Sequence, residues 1–585
     1  MSRSNAQVVA LLEELVTLTV LDEQDPQSFR VRAYEKAVRA LQGLSRDVSE
    51  MSVRELTALD GVGRSTAEKV REVVETGTMA KLEELRARHP AGQRDLLRIP
   101  GLGPKTIALL QSELGVTDLE GLRAALEAGK LAGLPGLGEK TQQNVREALE
   151  RSGVTAGGEE RRTPIAVALP AARALADALA GLDEVERVEV AGSLRRFRET
   201  IGDVDLLVAS TDPAPVMAAF RALPEVSDVL VSGDTKTSIV TWEGLQVDLR
   251  VVPPDRFGAA LVYFTGSKAH NIQLRQRALQ RDLTLNEYAL ARLVDGEPGE
   301  VVAAVTEQDV YAALDLAWVP PERREDTGEV EAAARGGEPG LVTLEALRGD
   351  LHDHTDLSGD GRQTLEDLVA ACVERGLDYL AITDHAEDLT INGASRAAML
   401  EQRTRIRRLE DERGDIALLH GAELNIGIDG SVDYDPEFLA GFDFGVASVH
   451  SHFRRPVAEQ TRRILTAMRD PAVNVVGHLT GRRIGTRPGI DLDVEAVVDA
   501  AVETGCAIEV NGSLARLDAP QEVLRLAVER GATLVISTDA HALGDLDNHE
   551  HGVRWARRAG VPADLVANTW PRERFLDWVR AKRAG

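Results

Sequence analysis

Cysteine is nearly absent: Cys372 and Cys506 are the only two in 585 residues. Two thiols cannot build a disulfide framework, which excludes a stapled secreted scaffold and fits a reducing compartment. Both stand in apolar runs, so buried structural thiols are expected. No hydrophobic run approaches the ~20 residues that cross a bilayer, and the first residues lack a signal-peptide core. The expectation is a cytoplasmic chain with no membrane partner. Positive charge is scarce too. Against 68 Lys and Arg stand 95 Asp and Glu, a formal net charge of −27, which excludes holding nucleic acid by bulk electrostatics. Any such contact has to be local, through backbone amides, short basic clusters or metal ions.

Histidine is rare before residue 350, and ten of the twelve lie beyond it. Such crowding points to metal chemistry at that end. The length implies several domains. Residues 1–155 read as short amphipathic helices between glycine pairs, and three turns repeat one pattern: Leu59-Asp-Gly61-Val-Gly63, Ile99-Pro-Gly101-Leu-Gly103 and Leu134-Pro-Gly136-Leu-Gly138. Two glycines around one apolar residue, ahead of a helix, turn backbone amides toward a phosphate without a side-chain charge. A nucleotide P-loop fits less well, because Gly138-Glu-Lys140-Thr141 lacks the Gly-Lys-Thr adjacency. From about 188 to 262 the texture becomes β-rich, 320–340 reads as a linker, and beyond it apolar strands alternate with helices as in a parallel barrel.

The segment Gly192-Ser193-Leu-Arg195-Arg196-Phe-Arg198-Glu199-Thr-Ile-Gly202-Asp203-Val-Asp205 is the most informative of the first half. In a strand Asp203 and Asp205 face one way, where divalent cations can bridge them, and Asp248 offers a third carboxylate. Gly192 and Ser193 offer amides and a hydroxyl to a triphosphate, and Arg196 can neutralise its charge. This segment resembles the palm of the DNA polymerase beta type, family X of the nucleotidyltransferases. Tyr263-Phe264-Thr-Gly266-Ser-Lys-Ala-His-Asn271, followed by Arg275, is similar to that family's nucleotide pocket. The resemblance implies that Tyr263 and Phe264 lie against the sugar, Asn271 reaches the base edge and Arg275 touches the template side. It also implies two magnesium or manganese ions, both held by Asp203 and Asp205 and only the catalytic one by Asp248. The glycine turns resemble helix-hairpin-helix motifs, which grip DNA backbone at Gly61, Gly63, Gly101, Gly103, Gly136 and Gly138. Tyr34 and Lys69 fall where the family's lyase domain has a tyrosine and a Schiff-base lysine. A solvated lysine on a helix face is the alternative, and Ser65 stands where animal relatives have a basic residue.

At the far end, Asp350-Leu-His352-Asp-His354 places two imidazoles on one strand face. Further candidates end apolar runs, the place where barrels carry chemistry. These phrases resemble the PHP (polymerase and histidinol phosphatase) domain, a distorted (β/α)7 barrel that hydrolyses phosphoesters with up to three ions. The resemblance implies nine ligands: His352, His354, Asp360, His385, Glu423, His450, His478, Asp539 and His541. Ser358-Gly359-Asp360-Gly361 is one residue longer than the family's Ser-Asp-Gly, which leaves Asp360 open. The mixed donors suit manganese or zinc. Arg482 or Arg483 would hold a DNA phosphate, or form a plain surface pair.

The implied layout is 1–88 helical, lyase-like and DNA-binding; 89–157 fingers-like with helix-hairpin-helix motifs; 158–258 an α/β nucleotidyltransferase palm; 259–321 thumb; 322–340 linker; 341–585 PHP barrel. Its implied work is gap-filling DNA synthesis in repair with manganese-dependent 3′-5′ exonuclease and abasic-site endonuclease activity, by a monomer acting on gapped or nicked duplex DNA and dNTPs. Two rivals stand beside it. One is an RNA or small-molecule nucleotidyltransferase fused to a metabolite phosphatase, decided by competition with duplex DNA. The other is a DNA-binding scaffold with decayed sites, decided by metal-dependent turnover.

Overall fold

The computed structural model describes residues 5–23, 28–42, 48–59, 61–89, 96, 102, 104–131, 134, 137–138, 142, 145, 162–338 and 340–584. It divides into two compact units, one of residues 1–162 and 214–248, the other of residues 163–213 and 249–585. The chain leaves the second unit after Pro213 and re-enters it inside the strand Gln246–Val252.

The first unit is mainly helical, with helices Asn5–Glu23, Phe29–Gln42, Val53–Thr57, Arg64–Thr76, Ala80–Arg88, Pro104–Leu114 and Leu119–Glu127. Their local starts are legible in the residues. Ser52 and Glu55 form a reciprocal capping box and the Asp118 carboxylate accepts from the Gly121 amide, each supplying an acceptor that the first turn lacks. One apolar cluster joins these helices and includes Leu12, Leu15, Val70, Leu82, Leu110 and Leu137. Strands Val226–Ser232 and Lys236–Thr241 form an antiparallel pair.

The second unit opens with the helix Ile165–Ala180, after which strand Arg187–Val190 lies antiparallel to Val204–Ala209. Leu207 and Ala209 pack there on Phe257, Ala260 and Leu261 of the helix Phe257–Thr265. A three-stranded antiparallel sheet follows, from Leu283–Leu285, Leu290–Val294 and Glu297–Ala303. Residues 322–338, within the stretch 322–340 expected as a linker, are instead built into this unit. Glu322, Arg323, Arg324 and Glu329 are buried, and Arg324 pairs with Glu307 at 2.7 Å, so composition alone misread a stretch whose charges have tertiary partners.

Seven parallel strands in sequence order then form the barrel: β1 Gly349–Asp353, β2 Tyr379–Ile382, β3 Ala417–Asn425, β4 Phe444–Ser448, β5 Val475–Gly477, β6 Ala507–Asn511 and β7 Leu534–Ser537. The first and last edges meet where the His354 amide donates to the Ala540 carbonyl at 3.0 Å and the Asp539 amide to the His352 carbonyl at 3.0 Å. One apolar cluster draws on all seven strands, among them Leu351, Tyr379, Leu419, Val446, Val475, Ala507 and Val535, and is closed by Trp570 and Phe575 from the chain's last segment. Alternate residues Leu380, Ile382 and Leu418 pack outward on the helices Leu365–Glu374 and Arg396–Arg413, the two-residue period of a strand covered on both faces. Cys372 and Cys506 are buried free thiols. Among the described residues no helix is long and apolar enough to cross a membrane.

Candidate active sites

The barrel site is built on strand ends. His352 is next to last in β1 and His354 follows the strand. His385 stands after β2, Glu423 late in β3, His450 after β4, His478 after β5, and Asp539 and His541 after β7. Their side chains converge. Glu423 is the hub: its Oε1 lies 2.9 Å from His478 Nε2, 3.2 Å from His450 Nε2 and 3.4 Å from His352 Nε2, and its Oε2 lies 2.7 Å from His385 Nδ1. Asp539 Oδ1 lies 3.4 Å from His354 Nε2. The long loop still carries Asp360 to 3.5 Å from His385 Nε2 and 3.6 Å from His541 Nε2, helped by Asn392, whose amide donates to Asp360 at 2.6 Å. Three groupings have donor atoms all within 4.8 Å of one another: His354–His385–His541, His352–His354–Asp539 and His385–Glu423–His450.

This donor set fits divalent cations on its own chemistry. Nε2 of His352 and of His354 and Nδ1 of His478 are buried with no hydrogen-bond partner, an arrangement whose desolvation cost a cation would offset. Burial, with the His385 imidazole adding to it, drives His354 down to about 4. Burial works against a charged His385, yet Glu423 and Asp360 push it up to about 10. Burial likewise opposes ionisation of Glu423 and Asp539, and the imidazoles around them outweigh it and hold both well below the usual carboxylate range.

In the second unit, Asp203 stands just before and Asp205 inside the strand Val204–Ala209, both half-buried, alternating with buried Val204 and Leu206. Gly192 opens the one-turn helix Gly192–Arg195 at φ +62°, and any Cβ there would strike the Asp205 carboxylate. Glycine is therefore required twice over, by conformation and by space. The Ala191 amide donates to the Asp205 carbonyl at 2.8 Å, which fastens the Gly192–Ser193 turn to the strand. Arg196, expected to face a triphosphate, is engaged with Glu325 at 2.9 Å and with the Thr265 carbonyl at 2.5 Å. Tyr263 and Phe264 sit edge to face, 5.0 Å between centroids. Asn271 donates to the Tyr263 carbonyl at 2.8 Å, and the Arg275 guanidinium lies 5.3 Å from the Tyr263 ring. Gly266 follows that helix at φ +67°.

In the first unit Asp248 pairs with Lys236 at 2.7 Å and accepts from Gln246 at 3.0 Å. Burial pushes this carboxyl up, but the bonds from Lys236, Gln246 and Ser238 prevail and leave it below its ordinary value. Gly61 turns at φ +85°, and Gly63 is the N-cap of Arg64–Thr76 with no side-chain capping bond. Lys69 donates to the Ser65 hydroxyl at 2.9 Å and lies 5.8 Å from the Tyr34 ring. Gly138 is exposed. Gly101, Gly103 and Gly136 lie outside the described residues, but the apolar residue of each turn, Val62, Leu102 and Leu137, is buried.

Family models match four stretches: a helix-hairpin-helix domain at residues 3–79, a SAM-like helix-hairpin-helix tandem at 94–151, the DNA polymerase beta thumb at 260–325 and a PHP domain at 350–513. The DNA polymerase/3′-5′ exonuclease PolX of Bacillus subtilis is 38% identical over 564 residues, 96% of each chain. The chain belongs to the PolX family. DNA polymerase lambda of Rattus norvegicus is 28% identical over 54% of this chain and 56% of its own. A probable phosphatase of Thermoanaerobacter is 28% identical over 38% of this chain and 89% of its own.

Several residues of this PolX chain escaped the motif reading. Glu509 accepts from His352 Nδ1 at 2.6 Å, and Asn425 bonds His450 Nδ1 at 2.8 Å. Asp384 takes the Thr355 amide at 2.8 Å and the Ser358 hydroxyl at 2.7 Å, which shapes the loop under Asp360. A charged group inside an apolar strand, as in Ala-Ile-Glu509-Val, was the available signal. Conversely, four of the ten crowded histidines stand outside the nine-residue set. His420 stacks on Phe442 and burial takes it down to about 4, His549 Nε2 lies 3.1 Å from the Asp350 carboxylate, His551 lies against Phe197, and His452 is exposed. Arg482, read as a phosphate ligand or half of a surface pair, donates to the Arg516 carbonyl at 2.9 Å and pairs with Glu199 at 2.9 Å.

Proposed function

We propose that the chain is a gap-filling DNA polymerase of base-excision or end repair that also trims 3′ ends, with two separate active sites. It takes gapped or nicked duplex DNA and dNTPs and acts as a monomer. What carries this reading is the presence, in one chain of the PolX family, of a glycine-locked Asp203–Asp205 strand and of a cluster of imidazoles gathered around Glu423.

In the polymerase, Asp203 and Asp205 would hold two magnesium or manganese ions and Asp248 the catalytic one, the Lewis acids of an in-line displacement. The Gly192–Ser193 turn presents amides and a hydroxyl to the triphosphate, with Arg196 beside it. Tyr263 and Phe264 bound the sugar, Asn271 meets the base edge, and Arg275 faces the template. The turns at Gly61–Gly63, Gly101–Gly103 and Gly136–Gly138 hold backbone phosphates through amides, and Lys69 with Tyr34 contacts the 5′ side of the gap.

In the barrel, His352, His354, Asp360, His385, Glu423, His450, His478, Asp539 and His541 would hold up to three manganese or zinc ions. Bound there, the ions supply electrophilic assistance to phosphoester hydrolysis. The same site would cut the backbone at abasic positions.

A one-nucleotide-gapped duplex, labelled on the primer 5′ end and incubated with manganese with and without dNTPs, tests the reading. Extension should vanish only in Asp205→Ala, and shortening only in His354→Ala. A wild-type chain that neither extends nor shortens the primer in magnesium or manganese would redirect the assignment to RNA or phosphorylated metabolites.

A further inference from the structure

We propose that Arg554 and Arg558, on the barrel helix Asn548–Ala559, are positioning residues for the polymerase reaction: they hold the turn after Gly192–Ser193 in its nucleotide-binding form. The inference rests on the polymerase reading above. All the groups involved lie in the second unit.

The turn is secured from the barrel side at successive carbonyls. Arg554 donates to the Arg195 carbonyl at 2.7 Å and to Glu322 at 2.9 Å. Arg558 donates to the Arg196 carbonyl at 2.8 Å and to Glu325 at 3.0 Å. Those carbonyls end the one-turn helix whose first residues are Gly192 and Ser193. Phe197, next in sequence, is fully buried at φ +57°, a conformation that is strained for a bulky L-residue and persists only where surroundings enforce it. The enforcement also comes from the barrel helix. The Arg554 guanidinium lies 4.6 Å from the Phe197 ring and the His551 ring stacks on it at 6.1 Å.

Charge sharing gives the arrangement a functional direction. Glu325 serves three arginines at once: Arg196 at 2.9 Å, Arg198 at 3.2 Å and Arg558 at 3.0 Å. One carboxylate cannot neutralise three guanidiniums, so Arg196 retains positive character for a triphosphate. Without Arg558, Glu325 would be left to Arg196 and Arg198, and the Arg196 carbonyl would lose its donor. Both effects weaken nucleotide binding before they touch the chemical step. Mere adhesion between the two parts would not need this geometry. Burying guanidiniums is expensive unless each donor is used, and here they are used on the backbone of the nucleotide turn.

The test is single-nucleotide insertion on gapped duplex by full-length wild type, Arg554→Ala, Arg558→Ala, the double alanine variant and Arg558→Lys, with 3′ trimming by the same preparations without dNTPs as the control. The double variant should raise the KM for dNTP on the order of tenfold while kcat stays within about twofold, the signature of lost ground-state positioning. Trimming should be retained, and Arg558→Lys should fall between Arg558→Ala and wild type. A wild-type KM in the double variant overturns the proposal. Should the double variant lose trimming as well, the single alanine variants decide by the same criterion. A wild-type chain that inserts no nucleotide at all removes the polymerase reading, and the proposal with it.

Discussion

Glu509 Oε1 lies 2.6 Å from His352 Nδ1, and its other oxygen takes the His478 amide. One buried carboxylate thus orients two members of the Glu423 cluster without joining it. Glu509→Gln should weaken divalent binding by about 10- to 100-fold, the usual effect of removing such an orienting partner. Metal titration would measure this, with trimming recovered at higher manganese and extension unaltered. Unchanged metal affinity would remove Glu509 from this role.

Gly192→Ala should abolish primer extension, by about 100-fold or more, because it brings both a disfavoured φ and a collision with the Asp205 carboxylate. Trimming should persist, which separates the local effect from unfolding.

Glu307 joins Arg195 and Arg324 in a buried triad, at 2.7 Å from each. Burial alone would raise this carboxyl, but Arg324 and Arg195 overcome it and hold it at about 2. A depressed carboxylate contributes stability that is fully present above its unfolded value near 4.5 and is lost as pH falls toward 2. Urea midpoints for wild type should therefore drop across that window. Glu307→Gln should cost about 3–5 kcal/mol at neutral pH by leaving Arg324 uncompensated, and should flatten the acid dependence.

Removing divalent ions with a chelator should lower the thermal midpoint of the barrel, because buried donor atoms such as Nε2 of His352 and of His354 then have no hydrogen-bond partner. Restoring manganese or zinc at about 100 times Kd should return roughly 2.7 kcal/mol. His354→Ala should respond less to either treatment, and a midpoint indifferent to chelation in wild type would argue against resident ions.

The modular order and the convergence at the barrel mouth were legible because they rest on short-range rules. Phrases such as Asp350-Leu-His352-Asp-His354 carry two-residue alternation, and strands like Tyr379–Ile382 and Phe444–Ser448 are compact apolar runs bounded by polar turns. Strand Val226–Ser232 escaped notice because six of its seven residues are exposed, so no buried face imprints a pattern on it. The partners of Arg196, Glu509 and Arg324 escaped for another reason. Glu325 is 129 positions from Arg196 and Glu509 is 157 from His352, and no local spacing encodes pairs that only the tertiary fold brings together. The same blindness made the charged stretch 322–340 look like a linker.

Gly63 begins its helix without a side-chain cap, in a chain that carries a net charge of −27. A grip made of neutral N–H dipoles displaces few of the cations condensed along a duplex, whereas a lysine-rich surface releases about one for each phosphate it neutralises. Association through such turns therefore gains little from the entropy of freed counterions and loses little when salt is added. Shape of the backbone at a gap, and not attraction to polyanion as such, would then decide where this protein settles. On the proposed reading, an acidic chain would in this way pass over the great excess of intact duplex around a gap.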